Sequence, residues 1–124
     1  FAAIEALTGD QSCIEDMKKI FFQRRNLILE KLNDIPNISC ETPQGAFYVF
    51  PNFTSYIKSK TSQNIIINSS NDLCSYILDQ TGVVSVSGDS FGAPGYIRFS
   101  YATDNDTISQ AIQLVKEALE NLSF

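Results

Sequence analysis

The chain of 124 residues contains no histidine, and that absence removes several chemistries at once. Without an imidazole there is no Ser-His or Cys-His nucleophile pair. The three cysteines, Cys13, Cys40 and Cys74, lack the close spacing of a metal-ligand set. Positive charge is scarce as well: nine Lys and Arg stand against fourteen Asp and Glu, a net charge of -5. With no basic stripe to hold a phosphate backbone or an anionic lipid surface, the balance argues against nucleic-acid and membrane partners. No apolar run approaches the roughly 20 residues of a spanning helix. The cysteine count is odd and no signal peptide is in view, so the thiols are read as free, mostly packed, and kept in a reducing, cytoplasmic compartment. Asn-x-Ser/Thr triplets such as Asn52-Phe53-Thr54 then carry no meaning.

What is present is ordinary globular composition, 44% hydrophobic and 19% charged, at a length that suits one domain with a proper core. The opening Phe1-Ala2-Ala3-Ile4-Glu5-Ala6-Leu7 has no initiator Met and begins as helix already under way. It reads as a piece cut from a longer chain, with Thr8-Gly9-Asp10 ending that first helix. Ser12-x-x-Glu15 has the form of a capping box. Met17, Ile20, Phe21, Leu27, Ile28 and Leu32 then recur at helical spacing, with Lys18, Lys19, Arg24 and Arg25 largely off the stripe. Pro36 disfavours helix at Ile35, so a long helix over 12–34 is expected, suited to brace a neighbouring domain. An α+β core should occupy 38–124.

Within that core, Ile38 to Glu41 and Ala46 to Phe50 read as strands around the turn Thr42-Pro43-Gln44-Gly45. The second is apolar throughout, which predicts cover on both faces. Phe47, Tyr48 and Phe50 accordingly read as core. Ser55 to Ser70 reads as a surface excursion with a short edge strand. Ser69-x-x-Asp72 caps a helix over Asn71 to Gln80 that Gly82 closes. Val83 to Val86 is a strand, and Thr103-x-x-Asp106 caps a last helix with the stripe Ile108, Ala111, Ile112, Val115, Leu119 and Leu122. The order predicts an α+β two-layer sandwich, with a small, largely antiparallel sheet packed by the long N-terminal helix and the C-terminal helix.

One residue stands out. In Tyr96-Ile97-Arg98-Phe99-Ser100-Tyr101, a strand alternation places Tyr96, Arg98 and Ser100 on one face and Ile97, Phe99 and Tyr101 on the other. Arg98 is the only charge in that run. It snorkels to water, pairs with a carboxylate of its own protein, or waits for one from outside. Taken alone the second is the commonest fate of an arginine. The glycines from Gly88 to Gly95 invite a phosphate-loop reading, but such a loop should enter a helix, and this one enters a strand.

Three segments together point further. Glu41-Thr42-Pro43-Gln44-Gly45-Ala46-Phe47-Tyr48-Val49-Phe50-Pro51, Val86-Ser87-Gly88-Asp89-Ser90-Phe91-Gly92-Ala93-Pro94-Gly95 and Tyr96-Ile97-Arg98-Phe99-Ser100-Tyr101-Ala102 precede an amphipathic closing helix. This order closely resembles the C-terminal small domain of class I, fold-type I aminotransferases dependent on pyridoxal phosphate, most of all the bacterial and plastid aspartate and aspartate/prephenate branch. The resemblance implies that Arg98 grips the α-carboxylate of an amino-acid or 2-oxo-acid substrate, with Phe47 beside the pocket. It implies a homodimeric parent whose Schiff-base lysine and cofactor phosphate cup lie in a large domain. None of Lys18, Lys19, Lys31, Lys58, Lys60 and Lys116 has the Ser-x-x-Lys context of that lysine. The chain by itself is therefore expected to be inactive. Other amino-acid specificities of the same fold, such as alanine, aromatic or kynurenine transamination, or aminocyclopropane-carboxylate synthesis, stay open. So does an aminotransferase-like effector domain of a DNA-binding regulator.

Overall fold

The alternation around Arg98 is the axis of the structure. A computed structural model describes residues 1–124, and in it the central strand β3 (Ile97–Ser100) lies between β1 (Tyr48–Val49) and β2 (Val86–Ser87). Both pairings are antiparallel, with Tyr48 opposite Ser100, Val49 opposite Phe99, Val86 opposite Arg98 and Ser87 opposite Ile97. Ile97, Phe99 and Tyr101 are buried, whereas Tyr96 and Arg98 are half-buried and Ser100 is exposed. One face of the sheet is thus core, and the other is left for something else.

Four helices complete the fold: α1 (Ala2–Thr8), α2 (Ser12–Asn33), α3 (Ser70–Thr81) and α4 (Asn105–Glu120). Ile28, Leu29 and Leu32 of α2 meet Ile108, Ile112, Val115 and Leu119 of α4 and Leu73 and Ile77 of α3 in a single core with Val49, Ile97 and Phe99. Each such side chain withdrawn from water contributes roughly 1.5–3 kcal/mol. The two-layer α+β sandwich is as the sequence implies. α3 matches closely: Ser69 accepts from the Asp72 N–H (3.1 Å), and Gly82 closes the helix at φ 74°, where a Cβ is unfavourable.

Several local expectations are corrected. Neither the capping box expected at Ser12 nor the cap expected at Thr103 forms. Ser12 is the first residue of α2, and Asp10 accepts its backbone N–H (2.9 Å), while Glu15 faces Lys18 at 3.6 Å instead of the helix start. At α4 the cap is Asp104, one residue beyond Thr103, accepting from the Thr107 N–H (2.8 Å) and hydroxyl (2.7 Å). Those bonds hold the Asp104 carboxyl down at about 2. The strand expected over Ile38 to Glu41 shrinks to one bridge, Ser39 to Asn52. Strand Ala46 to Phe50 shortens to Tyr48–Val49 because Ala46 takes a left-handed φ of 59°, which breaks extended geometry. Val83 to Val86 likewise pairs only at Val86–Ser87. The excursion Ser55 to Ser70 is not merely superficial: Tyr56, Ser59 and Ile67 are buried, and Lys60 bridges to both Ile66 and Ser123.

The apolar stripe of α2 divides in two. From Phe1 to Leu27 no residue is buried, and Ile4, Leu7, Ile14, Met17, Ile20 and Phe22 are all exposed. Ile28, Leu29 and Leu32, in the last third of α2, are its only buried residues, with Phe21 and Leu27 packed half-buried against the core. No helix is long and apolar enough to cross a membrane.

Candidate functional site

Arg98 stands on the middle strand, on the face turned from the core, opposite Val86. Continuing the β1–β3 register sets Phe50 level with it. Its guanidinium carbon lies 4.3 Å from the centroid of the Tyr48 ring and 4.8 Å from that of Phe91. Each such cation–π contact is worth about 0.5–1 kcal/mol in the open and more once water is excluded. Phe50 extends the aromatic collar, edge-on to Phe91 at 6.0 Å and tilted against Tyr96 at 5.2 Å.

The carboxylate that such a cation usually pairs with is absent. The ion pairs of the chain are Lys18–Glu15 and Lys19–Asp16, both exposed on α2. The Arg98 guanidinium therefore presents its N–H donors to no acid of its own domain, although aromatic rings strip part of its hydration. A planar donor fork held in this way is suited to a carboxylate or another planar anion.

Each ring is fixed by a different part of the chain. Tyr48 is placed by its pairing with Ser100 and by the Phe47 ring against it at 4.4 Å. Phe21 of α2 packs on Phe47 (6.4 Å) and on Tyr101 (6.2 Å). The Tyr101 hydroxyl donates to the Ala46 carbonyl (2.9 Å), and Arg25 donates to that of Pro43 (3.3 Å). Burial pushes the Tyr101 phenol up, partly offset by Arg25, so it stays a neutral donor. Phe91 ends a 3-10 turn, Gly88–Phe91, that Gly92 closes at φ 69°. Gly88 donates to the Tyr96 carbonyl (2.8 Å) and accepts from Ala93 (2.9 Å), which brings the loop back onto β3.

Of the residues singled out in the sequence, Arg98 lies half-buried on the outer face of β3. Phe47 is 42% exposed and backs the Tyr48 ring. Tyr48 and Phe50, read as core, are half-buried and line the outer face, since only Val49 of that run turns inward. Phe91 joins the site without a sequence pattern to mark it; an aromatic at the apex of a glycine-bounded turn shows no periodicity, and its one signal is proximity in sequence to a lone cation.

No lysine joins this group. Lys18 and Lys19 are paired on α2, Lys58 donates to Asn68 (2.9 Å), and the backbone of Lys60 is paired with that of Ser123, away from β3. Lys31 and Lys116 line a small cleft between the C-terminal end of α2 and the middle of α4. The half-buried thiols of Cys40 and Cys74 are pushed up by burial, away from the reactive thiolate. These residues do not make an aldehyde-cofactor site.

Residues 1–115 match the model of the family described as aminotransferase class I and II. The chain belongs to that family. An aspartate/prephenate aminotransferase of Nitrosomonas europaea is 38% identical over 119 residues, 95% of this chain and 30% of that protein. An asparagine–oxo-acid transaminase of Streptococcus mutans is also 38% identical, over 97% of this chain and 29% of its own length. The crystal structure of an aspartate aminotransferase from Rhizobium meliloti superposes with a TM-score of 0.94 at 32% identity, covering 98% of this chain and 30% of that one. The chain thus spans about 30% of the length of the aminotransferases it matches, and its fold is that of the aminotransferase small domain.

Proposed function

We propose that this chain serves as the substrate-clamping small domain of an aspartate-type aminotransferase, with Arg98 receiving the α-carboxylate of an amino acid or 2-oxo acid. The observation that carries the reading is a half-buried guanidinium set against Tyr48 and Phe91 with no acidic partner in its own domain. A carboxylate arriving at that fork gains two parallel charge-assisted bonds, each worth on the order of 1.5–3 kcal/mol. The rings exclude water around it, which strengthens both bonds, and the short stiff strand fixes where the α-carbon comes to rest. Phe47 acts one layer back, by supporting Tyr48. Pyridoxal phosphate, in this reading, is held by residues outside this chain and supplies the amino-group chemistry when bound.

The exposed apolar side chains of α1 and the first two-thirds of α2 support the bracing role: they are the surface on which the remainder of the protein rests, while the α+β core of 38–124 moves to close the site. The parent is a cytoplasmic homodimer in the same reading. A second specificity is favoured by one observation, the equal identity to an asparagine-directed relative; a substrate panel on the full-length protein separates the two.

The test of the clamp is Arg98→Lys in the full-length protein. A compact ammonium cannot reproduce the two-pronged contact. KM should rise and kcat/KM should fall by about 10-fold or more, the loss of at least one charge-assisted bond, for monocarboxylic and dicarboxylic amino acids alike. Unchanged kinetics remove the clamp.

A further inference from the structure

The Phe91 ring is 51% exposed and meets the Arg98 guanidinium on its face and Phe50 edge-on. The core does not hold it, so its place against the guanidinium is set by the backbone of the loop that carries it. That loop is tied at two points to the first turn of α3. Asp89, two residues before Phe91, accepts from the Asn71 backbone N–H (3.2 Å) and from the Ser87 hydroxyl (3.1 Å). Gly95, four residues after, donates its backbone N–H to the hydroxyl of Ser70 (2.7 Å), a side chain only 1% exposed. The N–H groups of a first helical turn have no partner within the helix. Ser69 satisfies that of Asp72 locally, whereas that of Asn71 is satisfied from across the chain by Asp89.

We infer that Asp89 and Ser70 are positioning residues for substrate binding: by fastening the Gly88–Gly95 loop to the start of α3 they hold Phe91 on Arg98. The inference rests on Arg98 being the carboxylate clamp. Releasing either tie lets the ring leave the guanidinium and water take its place, which weakens the bonds to a carboxylate. The chemical step, carried out elsewhere, is untouched, so the effect falls on KM and on inhibitor affinity, with kcat little changed.

The experiment uses the full-length protein and maleate as a dicarboxylate probe. Asp89→Ala and Ser70→Ala should each raise the maleate inhibition constant and the substrate KM about fivefold, the size of a lost helix cap, with kcat within about twofold. Asp89→Asn keeps an acceptor oxygen and should restore most of the affinity. Phe91→Ala should match the effect of Asp89→Ala, and the double variant should be no worse than either alone. If the two effects multiply, Asp89 does not act through Phe91 and the inference is overturned. Should Asp89→Ala fail to fold, Ser70→Ala paired with Phe91→Ala carries the same cycle. Arg98→Gln separates the two layers of reasoning: an unchanged maleate constant there defeats the clamp itself. Weakened binding in Arg98→Gln beside unchanged binding in Asp89→Ala and Ser70→Ala defeats only the positioning role.

Discussion

Gly88→Ala isolates how much of the site depends on space at one backbone position. Gly88 does not have a positive φ, so alanine is acceptable there on conformational grounds alone. The obstacle is steric: an added Cβ would collide with the Ala93 carbonyl oxygen and stand 2.6 Å from the Tyr96 carbonyl oxygen and 2.9 Å from the Tyr96 Cβ. Two of those neighbours are backbone, and they are the groups that fold the loop onto β3. Forcing them apart is an overpacking cost of about 1–3 kcal/mol. At a urea slope of roughly 1–3 kcal/mol per molar, this lowers the unfolding midpoint by about 1 M. The control is Gly92→Ala, where φ is 69° but nothing lies within 4 Å of the new methyl. There the left-handed strain of about 1–2 kcal/mol is partly offset by the stiffer unfolded chain, about 0.4–1 kcal/mol. Urea titration of both variants should give Gly88→Ala the larger loss, and only Gly88→Ala should also raise KM in the full-length protein. A Gly88→Ala midpoint equal to the parent's, or a larger loss in Gly92→Ala, would refute the steric account of the loop.

Asp104 gives a pH signature. Its folded carboxyl sits near 2, against an ordinary 3.8, so the ionised cap favours the folded state above that range and the benefit disappears as pH falls from 3.8 towards 2. Asp104→Asn keeps an acceptor without titrating, so the gap in melting temperature between parent and variant at about pH 6 should narrow on acidification through that window; a gap that stays constant with pH counts against the cap. Tyr101→Phe removes the hydroxyl from the Ala46 carbonyl, a loss of about 1 kcal/mol read as a lower urea midpoint. An unshifted midpoint would mean that the bond does not fasten the Phe47 turn.

The parts of this fold legible in the sequence are those where one local rule faces no competitor. α3 has a single serine at the right offset and a glycine where a left-handed residue is needed, and it forms nearly as read. β3 alternates, and burial follows the alternation residue by residue. The helix starts near Ser12 and Thr103 differ from the sequence expectation because two acceptors compete within two residues of each other. Spacing alone does not tell which carboxylate or hydroxyl reaches the free N–H, and in both places the aspartate does. Strands are shorter than the sequence implies since a run such as Ala46 to Phe50 does not reveal that Ala46 adopts a left-handed φ. The same run hid the site, because an unbroken apolar stretch gives no clue that Tyr48 and Phe50 face outward while Val49 faces in. Arg98 was legible as an anomaly, and the aromatic plate from Phe91 needed three dimensions, since eleven glycine-, proline- and turn-rich positions from Ser87 to Ile97 carry no period.

The most direct measurement is a crystal structure of the full-length protein with maleate bound. Two carboxylate oxygens of one end should lie about 2.7–2.9 Å from two nitrogens of the Arg98 guanidinium, with Tyr48 and Phe91 still against it. A guanidinium turned to an aspartate or glutamate of the protein, with maleate held elsewhere, would contradict the account.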